Sequence, residues 1–196
     1  MENYILDRKD SLILTAIEVL DEYGIQGLST REIAKRQGVS EATLFRHYKK
    51  KSDLILAMLD FDSKYDSDIM ASVRIKNLKL RAAITYFINS YAEYYENYPA
   101  VTAVSQDYNV FACDPVLYDK VKKSQFTKLR FLQDNILEAQ KIGEISNGID
   151  SEKLSYLIWG SFMSICLNWR LSKYNFSLKE SVLSTLNMTL DAFKIK

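Results

Sequence analysis

The chain has 196 residues, with 26 Lys and Arg against 25 Asp and Glu and a formal net charge of +1. This length suits one or two small domains with a real buried core, and the near-neutral total means that any basic footprint must be local. Two prolines and six glycines favour long helices over many short strands, while two unpaired-looking cysteines, Cys113 and Cys166, and a single histidine fit a reduced, cytoplasmic protein and argue against a structural zinc site.

The first predicted helix runs from Arg8 to Tyr23, capped by Asp7. Leu12, Ile13, Ala16, Ile17 and Leu20 recur at helical spacing and form its apolar face. Gly24 is expected to end it. Glu18, the preceding Asp7 and Asp10, and the lack of a small-residue cleavage site separate this segment from a signal peptide.

From Leu28 to Tyr48 the sequence reads as two short helices around a tight turn. Ser29 and Glu32 form a Ser-x-x-Glu capping box. Ile33 and Ala34 face inward, Gly38 takes the left-handed conformation that ends a helix, and Val39 is a buried plug. Ser40 caps a second helix whose inward residues are Leu44 and Tyr48. Two helices about a Gly-containing turn make a helix-turn-helix, which places its second helix in the DNA major groove. The charge agrees: from Ser29 to Lys51, Arg31, Lys35, Arg36, Arg46, Lys49, Lys50 and Lys51 stand against only Glu32 and Glu41. Phosphate neutralisation needs such a local basic patch. A helical hairpin with a solvated basic face is the plainer alternative.

A fourth helix follows from Lys49 toward Ser72, with Leu54, Ile55, Met58, Leu59 and Asp62 on its inward edge. The next spans Leu78 to Tyr98, where Ile84, Phe87, Tyr91, Tyr94, Tyr95 and Tyr98 fall at steps of three and four. Pro99 breaks the chain. A short helix or turn reaches Tyr108, and Phe111 to Asp114 is read as a loop. Asp114 and Pro115 open a long helix to Lys141, with Val121, Phe126, Leu129, Leu132, Ile136 and Leu137 as its apolar positions. The last two helices run from Ser151 to Leu171 and from Leu178 to Lys194. The first is apolar around most of its circumference, so it needs cover on more than one side. Its uncharged stretch Leu154–Trp169 is shorter than a membrane span of ~20 residues, and it carries Ser155, Ser161, Ser164 and Asn168. No membrane association is expected.

The string TREIAKRQGVSEATLFRHYKKKSDL, Thr30 to Leu54, closely resembles the DNA-binding signature of the TetR family of bacterial transcriptional regulators. The upstream ILTAIEVLDEYGIQGLS resembles that family's first helix and connection. The resemblance implies an all-α fold: an N-terminal three-helix helix-turn-helix domain, residues 1–50, then a larger helical ligand-binding and dimerisation domain, residues 51–196. It implies double-stranded DNA as a partner, a homodimer through the last two helices, repression as the default, and a helix after the motif that carries motion between domains.

The DNA-contact residues carried over are Thr30, Arg31, Ser40, Glu41, Ala42, Thr43, Phe45, Arg46, His47, Lys50 and Lys51. Arg46 is the expected base reader, because guanidinium binds guanine O6 and N7 in a bidentate way. Ala42 faces a thymine methyl. Glu41 either accepts from cytosine N4 or favours the helix N-terminus. Thr30, Thr43, His47 and Lys51 are phosphate clamps, with a packed surface histidine as the alternative for His47. Two departures matter. Phe45 stands where the family often has a tyrosine hydroxyl, and Lys50 stands where it often has a small capping residue.

The resemblance also implies a small-molecule pocket in the C-terminal domain. Its candidate lining is Phe87, Tyr91, Tyr94, Tyr95, Tyr98, Phe126, Trp159, Phe162, Met163 and Trp169, suited to a flat aromatic or long apolar effector. Glu93 or Glu96 would favour a cation if turned inward. Aromatic stripes at helical spacing are more often packed core than pocket lining. No Ser/His/Asp arrangement, phosphate-binding loop or metal cluster is present in the sequence, so neither catalysis nor a cofactor is expected. The competing function is an architectural or partner-controlled DNA-binding protein without an inducer.

Overall fold

A computed structural model describes residues 8–78 and 80–193. Among the described residues the regular elements are helices, and none is long and apolar enough to cross a membrane. They fall into two compact units. One holds the described residues through Tyr65 together with Ala100–Lys123; the other holds Asp66–Pro99 and the described residues from Ser124. Helices α4 (Lys51–Ile75) and α8 (Pro115–Lys141) contribute residues to both units.

The first unit begins with α1 (Arg8–Gly27). Its expected apolar face is buried, with Val19 added. Each Leu, Ile or Val side chain so taken from water contributes about 1.5–3 kcal/mol. Gly24, at φ 65°, breaks the helix there, yet the chain returns to helical geometry as far as Gly27. The expected Asp7 cap lies outside the described residues. Two short helices follow, α2 (Thr30–Arg36) and α3 (Glu41–His47). α1 packs on α2, and α2 on α3. Ile33, Ala34, Leu44 and Tyr48 are buried between them, and Gln37 Nε2 donates to Thr15 Oγ1 at 2.5 Å across the first of these contacts. Gly38 takes φ 63°, as the turn requires. Val39 is only half-buried, so it seals the turn from its edge rather than plugging it.

The caps differ in detail from expectation. Ser29 Oγ accepts from Glu32 N, but Glu32 Oε1 accepts from Arg36 Nε at 2.9 Å instead of reaching back to complete the box. A charged donor one turn away outcompetes a neutral backbone N–H. At the start of α4, Lys50 contributes its backbone N–H to Asp53 Oδ2 at 3.0 Å, so Asp53 supplies the cap that Lys50 lacks.

The segment read as a short helix or turn followed by a loop holds two short helices, the second reaching Phe111 where the loop was expected to start. A 3-10 turn, Pro99–Val101, leads into α6 (Thr102–Gln106) and α7 (Tyr108–Phe111), with Phe111 buried. α6 packs on α1. Tyr108 Oη donates to Asp62 Oδ2 at 2.8 Å, and Lys120 Nζ meets Asp60 Oδ1 at 2.5 Å. These bonds tie α7 and the start of α8 to the first part of α4. Asp114 Oδ1 accepts from Val116 N at 2.8 Å, the predicted cap of α8.

The second unit is built on α5 (Leu80–Asn97), with α9 (Ser151–Leu171) and α10 (Leu178–Ala192). α10 packs on both α5 and α9. Lys194, the predicted end of the last helix, lies outside the described residues. Phe126 and Leu137, two of the apolar positions read on α8, are exposed. Inside this unit sits a buried ion pair: Lys128 Nζ donates to Asp66 Oδ2 at 2.7 Å and to Ser124 Oγ at 2.8 Å, and Tyr91 Oη donates to Asp66 Oδ1. Lys128 and Asp66 side chains are 1% and 4% exposed.

Candidate nucleic-acid interface

The turn between α2 and α3 orients α3 through its buried side, Leu44 with Tyr48 at its C-cap. Its opposite face carries Ala42, Phe45, Arg46 and His47, all exposed. Ser40, Thr43 and Arg46 form a chain along this face. Thr43 Oγ1 lies 3.1 Å from Ser40 Oγ and accepts from Arg46 Nη2 at 3.1 Å. Ser40 Oγ also accepts from Thr43 N, so its hydroxyl caps the helix. Thr30 Oγ1 donates to Glu41 Oε2 at 3.0 Å, joining the first residues of α2 and α3. Two expected DNA contacts are therefore partners of each other here. Arg31, Lys49 and Lys50 are exposed, flanking α3 in sequence on both sides.

Two basic residues are placed differently from the simple charge count. Arg36 lies away from solvent recognition: it donates to Glu22 Oε1 at 2.7 Å, Glu22 Oε2 at 2.6 Å and Glu32 Oε1 at 2.9 Å, with its guanidinium 5.6 Å from the Tyr23 ring centre. Those hydrogen bonds raise its pKa and hold the Glu22 carboxyl below its ordinary range. Its charge braces α1 against α2. Lys51 Nζ donates to the Ile25 carbonyl at 2.9 Å, and partial burial lowers its pKa. It ties the start of α4 to the end of α1, so a phosphate contact from Lys51 would have to share or replace that bond.

The ten residues proposed to line a pocket do not form one group. Phe87, Tyr91, Tyr95, Trp159 and Phe162 are buried and pack on each other, with Trp159 and Phe162 stacked at 5.0 Å and Tyr91 edge-on to Trp159 at 5.2 Å. Phe131, absent from the sequence reading, stacks on Phe87 at 4.6 Å. Tyr94, Tyr98 and Met163 are half-buried, and Phe126 faces solvent at 57% exposure. Trp169 belongs to a separate contact: its Nε1 donates to the Phe176 carbonyl at 2.9 Å and its ring meets Tyr174 at 4.6 Å, closing the α9–α10 loop. Glu93 and Glu96 do not turn inward. Glu93 Oε1 accepts from Lys179 Nζ at 2.6 Å, and Glu96 Oε1 accepts from Ser177 Oγ and Lys179 N, so both anchor the start of α10.

The Asp66–Lys128 pair escaped the sequence reading, although a signal existed. Asp66 continues the stripe Leu59–Asp62 of α4, and Lys128 continues Val121–Ser124 toward Leu132 on α8. Polar residues on an apolar stripe at helical spacing mark buried polar contacts.

The N-terminal geometry is matched by a family description. The model for bacterial regulatory proteins of the tetR family matches residues 12–58, which span α1, α2, α3 and the start of α4. The chain carries the TetR-family DNA-binding domain over these residues. It is accordingly a DNA-binding transcriptional regulator. Similarity to known proteins extends beyond the head. The nucleoid occlusion factor SlmA of Glaesserella parasuis is 27% identical over 158 residues, 79% of this chain and 77% of that protein. The fatty acid metabolism regulator protein of Bacillus subtilis is 24% identical over 183 residues, 89% of this chain and 91% of that one. Among solved structures, the transcriptional regulator FadR of Bacillus subtilis in complex with stearoyl-CoA has a TM-score of 0.77 at 20% identity, over 94% of this chain and 98% of that one. This last likeness is one of fold.

Proposed function

We propose that this TetR-family regulator is a homodimeric repressor that binds a palindromic operator and is released by a small hydrophobic or aromatic effector. The observation that carries the DNA half is the exposed α3 face, where Arg46 stands beside Ala42 with its guanidinium already ordered by Thr43. Arg46 reads a guanine. Arg31, Thr43, His47, Lys50 and Lys51 bind phosphate and set the register. Phe45, 43% exposed, packs on the sugar-phosphate wall. Functionally, residues 1–50 form the reading head and 51–196 the sensing and dimerisation domain.

The dimer half rests on exposed apolar residues. Tyr156, Leu157, Leu167 and Leu171 on α9 and Met188 on α10 are exposed. An apolar face of this kind on paired helices is suited to burial against its own copy. The effector half draws support from the similar proteins, whose names include fatty acid metabolism and stearoyl-CoA.

A second reading has its own observation. The aromatic cluster around Trp159 is filled by its own rings, and the space left beside Phe162 is only about 10 Å³, too small for an effector. SlmA, similar over most of the chain, is named for nucleoid occlusion. Both favour DNA binding without an inducer held in the aromatic cluster.

Selection of bound sites from a random DNA pool separates the two. An inverted repeat with half-sites ~34–36 Å apart between centres supports the operator-binding dimer. Enrichment of no sequence would favour the architectural reading.

A further inference from the structure

The space that the aromatic cluster lacks is present elsewhere in the second unit. A cavity of about 810 Å³ opens beside the N-terminal half of α5, between it, the loop after α8 and the end of α10. Ligand sites commonly measure ~300–1,000 Å³. None of the ten aromatic and Met candidates lines it.

Its chemistry is mixed in an ordered way. Leu78, Ala82, Ile145 and Leu190 give apolar wall on three sides. Thr85 and Asn89 stand one turn apart on α5 and also line it, so their polar groups lie on the same helix face. Arg81 lines it as well, but its guanidinium donates to Asp191 Oδ1 at 2.5 Å and to Asn187 Oδ1 at 3.0 Å. That charge is already compensated. Glu144 contributes an exposed, water-solvated carboxylate. A ligand carboxylate would therefore meet a guanidinium already neutralised and a like charge nearby, while an ammonium would leave water for a solvated partner. From the described residues neither charge gains enough to offset its desolvation. A neutral hydroxyl or amide N–H loses little on entry and can bond to Thr85 and to the side-chain carbonyl of Asn89, whose amide N–H is already given to Glu93.

We propose that this cavity binds an uncharged amphipathic small molecule, its apolar body against Leu78, Ala82, Ile145 and Leu190 and its hydroxyl or amide at Thr85 and Asn89. As an effector site it rests on the reading of the chain as a ligand-responsive regulator; as a binding site it does not. Its position suits regulation. Tyr86, another lining residue, has its ring 5.4 Å from Lys76 Nζ, immediately beyond the end of α4. The opposite rim is held by Ser146 N donating to the Phe193 carbonyl at 3.1 Å, at the end of α10. An occupant would thus touch Leu190 of α10 directly and, through Tyr86, Lys76 just beyond α4.

The test is equilibrium binding of 2-naphthol, neutral at pH 7, to the full chain, with 2-naphthoate as the anionic match of the same ring. Single-site saturable binding of 2-naphthol is expected, at least ten-fold tighter than 2-naphthoate. Ala82→Trp fills the cavity from an exposed helix position and should weaken 2-naphthol at least ten-fold while circular dichroism stays unchanged. Thr85→Val, which keeps the side-chain volume, should weaken it about three- to ten-fold through the lost hydrogen bond and serves if Ala82→Trp does not fold. Unsaturable binding, equal binding by both variants and wild type, or tighter 2-naphthoate would each overturn the site. Operator affinity is then measured with 2-naphthol bound. Unchanged affinity with the site pattern intact would leave the site standing and remove the effector reading alone.

Discussion

Thr30 Oγ1 donates to Glu41 Oε2 at 3.0 Å, so the first residue of α2 holds the first residue of α3. Both residues were read as DNA contacts, and the bond makes them a brace between the two helices of the motif. A double-mutant cycle on Thr30→Val and Glu41→Gln should show coupling of about 0.5–1.5 kcal/mol in thermal or denaturant unfolding. Additive effects would mean that the bond contributes nothing in solution and would return both side chains to DNA alone.

Arg46 and Arg36 stand on the same motif with different duties. Arg46→Ala should weaken operator binding by ~1–3 kcal/mol and relax preference at one base pair. Arg36→Ala should leave base preference intact, because its guanidinium is bound by Glu22 and Glu32, and should lower thermal stability instead. Competition binding against single-base operator variants, with melting curves on both proteins, distinguishes them. An altered base preference in Arg36→Ala would contradict the bracing role.

Lys128 and Asp66 form a buried pair with Ser124 and Tyr91. Lys128→Met strands a buried carboxylate and should cost about 3–5 kcal/mol. Adding Asp66→Asn removes the stranded charge and should recover a large part of that loss. Urea unfolding of the single and double variants measures both. A double variant no more stable than Lys128→Met would show that the pair is not the source of the penalty.

Glu22 and Glu93 have folded pKa values below the ordinary 4.5, held there first by hydrogen bonds from Arg36 and Lys179 respectively. A depressed carboxyl contributes stability that is fully present above its unfolded pKa and is lost as pH falls through the folded value. Melting temperature should therefore fall on acidification below pH 4.5, and Glu22→Gln with Glu93→Gln should flatten that fall. An acid limb as steep as that of wild type would assign it to other carboxyls.

The proposed dimer face predicts its own failure. Leu157→Lys and Leu167→Lys place charge on exposed apolar positions of α9, so neither should disturb the fold of the subunit. Sedimentation velocity should show a dimer for wild type and a monomer for the double variant, with cooperative binding to an inverted repeat lost. A double variant that remains dimeric would move the interface elsewhere.

The amino-acid order alone determined the head and the helical fold class. Ser29, Gly38 and Ser40 act through bonds to residues one turn away, and Ile33, Ala34 and Leu44 act through helical spacing, so local geometry suffices to place α2 and α3. The starts of the last two helices, Ser151 and Leu178, were legible for the same reason, with Asp150 and Ser177 capping them. What only the tertiary structure decided involves residues far apart in the chain. Arg36 meets Glu22, Lys51 meets the Ile25 carbonyl, and Asp66 meets Lys128, each a choice among partners that spacing does not constrain. The aromatic stripe illustrates the same limit. Helical period showed that Phe87, Tyr91 and Tyr95 share a face, but whether that face lines a space or fills one depended on Phe131, Trp159 and Phe162 arriving from other helices. Periodicity specifies direction within a helix; close packing against the rest of the chain decides what that direction meets.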